Sequence, residues 1–160
     1  MAFEIVKEYF EKQGLGDRVK DLSESSATVE EAAAALGCEP KLIAKTMSFL
    51  VGDKAILVLA AGDARVDNKK YKETFHQKAK FIPFDEVESY IGHAPGGVCP
   101  FVIHEGVEVY LDESLKRFEL VYPAAGSGHS AVELSIPELE EHSGYLAWVD
   151  ICKGWQEEEI

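Results

Sequence analysis

At 160 residues, 46% of them apolar and 10% aromatic, the chain has the length and composition of one globular domain over residues 1–160, with a core of its own. Sixteen basic residues stand against 29 acidic ones, a formal net charge of −13, so the average surface repels nucleic acid at long range. No DNA partner is expected, and any RNA contact needs a local basic patch. "AILVLAAG" (55–62) falls far short of the ~20 apolar residues of a membrane span, and "MAFEIVKEYFEKQ" lacks the basic and apolar regions of a signal peptide. Cys38, Cys99 and Cys152 are odd in number and far apart, without a CxxC pair. That points away from a disulfide framework or a zinc knuckle and toward a reducing, cytoplasmic setting.

Phe3, Val6 and Phe10, with Ile5 beside them, share a face at helical spacing and predict a helix to about Gln13, stopped by "GLG". "SATVEEAAAALG" reads as a capped helix, with Thr28 and Glu31 at capping-box spacing and Gly37 at its end. Pro40 opens a short helical turn in "EPKLIAK". The apolar runs "TMSFLV" and "AILVLAA" flank "GDK" as the arms of a hairpin. Asp67 is placed to cap a helix over "VDNKKYKETF", and "FDEVESYI" forms another. Beyond a glycine-rich stretch, "FVIHEGVEVYL", "FELVYPAAG" and "SAVELS" alternate as strands. Ser135 caps a short helix over "SIPELEEH", "YLAWVDI" forms a last strand, and "QEEEI" is a solvated acidic end. The expected class is α/β: a mixed, largely antiparallel sheet flanked by helices, not a doubly wound parallel one.

The common catalytic motifs are absent: GxGxxG after a strand, GxxxxGK followed by Ser or Thr, HExxH and GxSxG. His76, His93, His104, His129 and His142 fit no metal-ligand spacing, so neither a metal nor another cofactor is expected. In "LIAKTMSFL", Lys45 sits where a helical turn passes into an apolar strand. It is either a lysine whose stem covers apolar surface or a partly buried ammonium aimed into a pocket, able to hold a carbonyl, a ribose oxygen or a phosphate. "IGHAPGGVCPFVI" (91–103) combines three glycines with two prolines. This suits a loop whose own amides point at a partner, although a buried hairpin would accept the same glycines.

"KTMSFL" (45–50), "GDARVDNKK" (62–70), "GHAPGGVCPF" (92–101), "VYLDESLKRFELVYPAAGSG" (109–128) and "VELSIPEL" (132–139) occur in this order. Together they resemble the YbaK/prolyl-tRNA-synthetase-associated family of trans-acting aminoacyl-tRNA editing domains, from about "SSATVEEAAAALG" to "VELSIPEL". The resemblance implies a YbaK-like α/β fold and a cytoplasmic aminoacyl-tRNA deacylase. Such a hydrolase serves translation fidelity by cleaving the ester of mischarged tRNA without a metal, here tRNA(Pro) carrying Cys, Ala or a similar small amino acid. It puts the family's lysine on Lys45 and its GxxxP loop on Gly96 to Pro100. The amides of Gly96, Gly97 and Val98 would then bind the carbonyl oxygen or the terminal ribose, as an oxyanion hole does. Thr46, Cys99 and Pro100 would stand near the substrate, with Ser127, Gly128 and His129 of "AAGSGHS" as a third wall. An aminoacyl ester is already activated, so positioning and charge stabilisation suffice, with attack by water or by a substrate group.

Cys99 has no base beside it in sequence and no helix N-terminus to lower its pKa, so it reads as a wall residue rather than a nucleophile. Residues 63–80 carry Arg65, Lys69, Lys70, Lys72, Lys78 and Lys80, six of the sixteen basic residues, against three acids. Arg65, Lys69, Lys70 and Lys72 are the candidate tRNA contacts; an ordinary solvated helix face is the alternative. A chain this acidic is expected to bind tRNA weakly alone and to rely on prolyl-tRNA synthetase or an elongation factor to present it. Two other functions fit the same residues: a non-catalytic module holding an aminoacylated 3′ end or a nucleotide, and a Cys99-dependent hydrolase of small esters or thioesters.

Overall fold

The computed structural model describes residues 2–22, 24–26 and 28–155, so "QEEEI" lies outside the described residues. Helix α1 (Ala2–Lys12) buries Val6 and Phe10 on one face, with Glu4 in its first turn and Lys12 in its last, where the helix dipole favours them. Strand β1 (Val19–Asp21) follows a 3-10 turn. Helix α2 (Val29–Leu36) starts on Thr28, whose hydroxyl accepts from the Glu31 amide at 3.1 Å. That is half of the expected capping box; the Glu31 carboxylate accepts from Ser25 Oγ at 2.9 Å.

Pro40 opens a 3-10 turn (Pro40–Leu42) that runs into β2 (Ile43–Val51), and β3 (Lys54–Ala61) returns as a hairpin paired from Val51–Lys54 to Ala44–Ala61. Every residue of β3 after Lys54 is buried, because the sheet is covered on both faces, and the strand therefore reads as a continuous apolar run. Next come β4 (Arg65–Val66) and α3 (Asn68–Phe75), capped by Asp67. A 3-10 turn (Phe84–Glu86) passes into α4 (Val87–Ile91). The chain continues through β5 (Glu108–Asp112), a 3-10 turn (Glu113–Arg117), β6 (Leu120–Pro123), β7 (Ser130–Val132) and β8 (Leu134–Ser135). Ser135 and Glu138 close a full capping box on α5 (Ile136–Ser143), before β9 (Ala147–Val149) and β10 (Cys152–Lys153).

Six strands form one sheet in the order β8-β6-β2-β3-β5-β9, while β1 with β7 and β4 with β10 make two small ribbons. The class is the expected one, an α/β fold on a mixed sheet. β2–β3, β6–β8 and both ribbons are antiparallel, whereas β2–β6, β3–β5 and β5–β9 are parallel. Two expected strands are cut short. In "FVIHEGVEVYL" only the end pairs, since the preceding residues loop back and the His104 amide donates to the Ile91 carbonyl at 2.9 Å. "SAVELS" divides at Glu133, whose amide donates to Arg18, into β7 and β8 of different sheets. Among the described residues no helix is long and apolar enough to cross a membrane.

One detail of pairing positions the site. β6 pairs with only Ile43 and Ala44 of β2. Farther along the same edge, Leu50 donates to Lys80 at 2.8 Å and Ser48 accepts from Ile82 at 3.1 Å. Between these partners the edge of β2 has no described strand beside it, and a cavity opens there.

Candidate active site

The cavity holds about 370 Å³. Its walls are Lys45, Thr46 and Met47 of β2, Thr28 and Val29 at the start of α2, Gly96 and Val98 of the glycine-rich loop, and Tyr122 and Ala124 around the end of β6. Ser26, Ser130 and Ala131 close another side, and Phe81 and Phe84 stand at the rim.

Lys45 is half-buried, and its ammonium donates to the carbonyl of Ala64. Burial pulls its pKa below the ordinary lysine range; the Cys152 sulfur and the Asp63 and Glu30 carboxylates pull back, and Arg65 adds repulsion. The turn that supplies this carbonyl is clamped. Asp63 accepts two bonds from the Arg117 guanidinium, at 2.6 and 3.1 Å. Arg117 Nε in turn donates to the Ser114 carbonyl at 2.9 Å, and Ser114 Oγ accepts from the Ala61 amide at 3.1 Å. Asp63 and Arg117 are 54 residues apart, and nothing in the sequence pairs them. Beside Lys45, the hydroxyl of Thr46 has no hydrogen-bond partner among the described residues.

In the loop, Gly96 has φ 92°, a left-handed conformation that favours glycine. Gly97 is required for a different reason: an added Cβ would lie 2.5 Å from Ser127 N and 2.6 Å from Gly126 C. The Gly97 amide donates to the Ala94 carbonyl at 3.0 Å and its carbonyl accepts from Gly126 at 3.1 Å. One of the three amides expected at an oxyanion is therefore committed inside the loop. The cavity is lined by the flanking Gly96 and Val98.

Cys99 and Pro100 are buried behind the wall rather than on it. Cys99 has no base beside it in sequence, but the fold brings His93 Nε2 to 3.5 Å from its sulfur. That same nitrogen is 2.7 Å from the Phe101 carbonyl, so it carries the proton and donates there; it cannot accept one from the thiol. Burial also pushes the Cys99 thiol up to about 12, which opposes formation of the nucleophilic thiolate. Cys99 should accordingly resist iodoacetamide in the native protein, read by peptide mass, and Cys99→Ala should keep most of any hydrolytic activity. Rapid alkylation of Cys99 with loss of turnover would restore a thiol-centred site.

His93 is itself buried, its Nδ1 has no partner among the described residues, and burial lowers its pKa from 6.5. Above about 6.5 both folded and unfolded chains hold it neutral; below, the unfolded chain takes up a proton that the fold resists. Its contribution to stability is thus complete above that value and is lost as pH falls toward the lower folded pKa. We expect the melting temperature to drop more steeply from about pH 7 to 5 for the wild type than for His93→Gln, whose amide keeps the bond to Phe101. Parallel curves would remove His93 as the cause.

Ser127, Gly128 and His129 are not on the cavity wall. Gly128 and His129 accept through their carbonyls from Ser26 and Leu22, each at 2.7 Å, and His129 Nδ1 lies 3.1 Å from Asp21. The segment carrying them shapes the pocket through its neighbours Ser130 and Ala131. Arg65, Lys69, Lys70 and Lys72 also lie off the wall. Lys70 donates to Asp150 and to the Cys152 carbonyl, each at 3.0 Å, while Lys69 and Lys72 are exposed on α3. Among the described residues, no three His, Cys, Asp or Glu side chains converge as a metal site requires.

Residues 23–142, which contain every residue of the cavity wall, match the profile of the aminoacyl-tRNA editing domain. The chain belongs to the aminoacyl-tRNA editing domain family. It is 46% identical over 157 residues to the uncharacterised protein YwhH of Bacillus subtilis, covering 98% of this chain and 100% of that one. It is also 33% identical over 102 residues to the proline–tRNA ligase of Bacillus subtilis, across 63% of this chain but only 18% of that much longer enzyme. A crystal structure provisionally described as a trans-editing enzyme for prolyl-tRNA synthetase superposes with a TM-score of 0.84 at 29% identity, covering 96% of this chain and 98% of that one. An editing role on aminoacyl-tRNA follows for this editing domain.

Proposed function

We propose that this chain is a deacylase acting in trans, hydrolysing the aminoacyl ester of mischarged tRNA(Pro) that carries Cys, Ala or a similarly small amino acid. The observation that carries this reading is one cavity lined by both Lys45 and the Gly96–Val98 loop, so that a compact cation and a glycine-built backbone meet the same ligand. At about 370 Å³ the cavity suits a small acyl group with its ribose. Ile43, Ala44, Met47 and Val29 give it an apolar floor fit for a short side chain.

In this reading, the amides of Gly96 and Val98 receive the charge that develops on the carbonyl oxygen, and Lys45 steadies the ribose or phosphate side of the ester. A water, alone or with a neighbouring substrate group taking up its proton, adds its oxygen to the carbonyl carbon. The bond to the ribose oxygen then breaks, and that oxygen leaves with the proton. Aminoacyl esters are reactive enough that positioning and charge stabilisation suffice, so no protein nucleophile and no metal is called for. Thr46 is the side chain we assign to the substrate next to Lys45. Arg65, Lys69 and Lys72 are proposed as outer tRNA contacts, with prolyl-tRNA synthetase or an elongation factor presenting the tRNA in the cytoplasm.

The test is a substrate panel with the purified chain: Cys-tRNA(Pro), Ala-tRNA(Pro), Ser-tRNA and Pro-tRNA(Pro). We expect release of the small wrong amino acid and sparing of proline. A methylene in an apolar pocket is worth only ~1–3 kcal/mol, so sparing by about 10- to 200-fold is the expected range. Binding of all four without release would instead support a non-catalytic module.

A further inference from the structure

Phe84 is 79% exposed and Phe81 57% exposed, and both stand on the rim of the cavity that Lys45 and Gly96 line. Isolated exposed apolar side chains need no explanation, but two aromatic rings at the rim of one pocket do. Phe81 is fixed from below. Its backbone bridges to Phe49 on the open edge of β2, and its ring lies 4.6 Å from the Phe49 ring at 31°. Phe49 is fully buried and rests in turn on Tyr71, at 4.9 Å. The core thus supports one side of Phe81 while more than half of the residue stays in water. Phe84 opens the 3-10 turn that leads through α4 into the glycine-rich loop, so the rim and the loop belong to one continuous segment.

We propose that Phe81 and Phe84 form a stacking platform for the terminal base of the aminoacylated 3′ end. This rests on the editing reading above. With the acyl group in the cavity and the ribose beside Lys45 and Gly96, the attached base has to leave through the rim, where these two rings lie. Every base has a π-face, so aromatic rings hold a single-stranded end without reading its sequence. The chain flanking the two rings is mixed in charge, with Lys78 and Lys80 before Phe81 and Asp85 and Glu86 after Phe84. Ring stacking rather than phosphate contact therefore supplies the local attraction, and this part of the binding should depend little on salt.

The test uses the whole chain and an acceptor-stem microhelix whose 3′-terminal adenine is replaced by 2-aminopurine, a base whose fluorescence is quenched on stacking. The wild type should quench it. Phe84→Leu, at a position too exposed to support the core, should weaken binding about fivefold or more, and Phe81→Leu with Phe84→Leu should also remove the quench. Phe84→Trp should keep both. Unchanged affinity and quench in the double variant, or no quench by the wild type, would overturn the platform. A wild type that quenches but releases no amino acid from a matched aminoacylated microhelix keeps the platform and removes the hydrolase. Equal hydrolysis by wild type and double variant does the reverse. If the double variant loses affinity only for purified prolyl-tRNA synthetase, the rings are a protein-docking face and the proposal is wrong.

Discussion

Lys45→Ala is expected to lower ester hydrolysis at least about tenfold, a loss of ~1.4 kcal/mol in transition-state stabilisation, and to leave the melting temperature nearly unchanged. Two opposing effects cancel in the stability. Removing a half-buried ammonium relieves a desolvation cost, while the Ala64 carbonyl loses its donor. Activity has no such compensation, because the compact cation beside the Gly96–Val98 loop is gone. Lys45→Arg should rescue poorly, since a planar fork does not fit where a tetrahedral ammonium meets one carbonyl. The pH profile adds an independent sign. Burial lowers the Lys45 pKa from 10.5, so activity that needs the cation should be lost on raising the pH before an ordinary lysine would titrate. Normal turnover by the folded Lys45→Ala protein would take this residue out of the site.

Gly97→Val should be more damaging still, by about 10²–10³ in rate, which is the cost of losing one aligned donor in acyl transfer. The reason is contact rather than the Gly97 amide itself, which is committed to Ala94. A Cβ at this position would sit 2.5 Å from Ser127 N, and backbone cannot swing aside as a flexible side-chain tip does. The loop must move away from the 126–127 segment, carrying Gly96 and Val98 with it, and overpacking of this kind typically costs ~1–3 kcal/mol in stability. Gly97→Ala already introduces the clashing carbon and should share most of the defect. The measurement is single-turnover hydrolysis at a temperature where wild type and variant are equally folded. Full activity there would clear the loop of any part in the reaction.

Much of this arrangement is legible in the sequence because it is written in local chemistry. Thr28, Asp67 and Ser135 announce their helices by capping, and "GDK" between two apolar runs announces the β2–β3 hairpin. Lys45 and the Gly96–Pro100 loop stand out for the same reason, a residue type at odds with its neighbours. What stays hidden is long-range. Strands β1 and β4 hold three and two residues, too few to carry a period, and exist only through β7 and β10. The pairing of His93 with Cys99 and of Asp63 with Arg117 depends on how loops fold back, which alternation does not encode. Phe84 opens "FDEVESYI", which reads as an ordinary helix, and only their exposure sets Phe84 and Phe81 apart. Ser127 to His129 show the limit of reading a segment residue by residue. A glycine-rich segment belongs beside the cavity, yet the residues that reach it are Ser130 and Ala131.

The claim at the centre is that this cavity cleaves an aminoacyl ester, and one measurement addresses it directly. Ala-tRNA(Pro) labelled in the amino acid is incubated with the full chain, with its Lys45→Ala variant, and with buffer alone, and free alanine is followed over time. Rapid release is expected from the wild type, release at least about tenfold slower from the variant, and only slow spontaneous loss in buffer. Release by the wild type no faster than in buffer, with Cys-tRNA(Pro) equally stable, would contradict it.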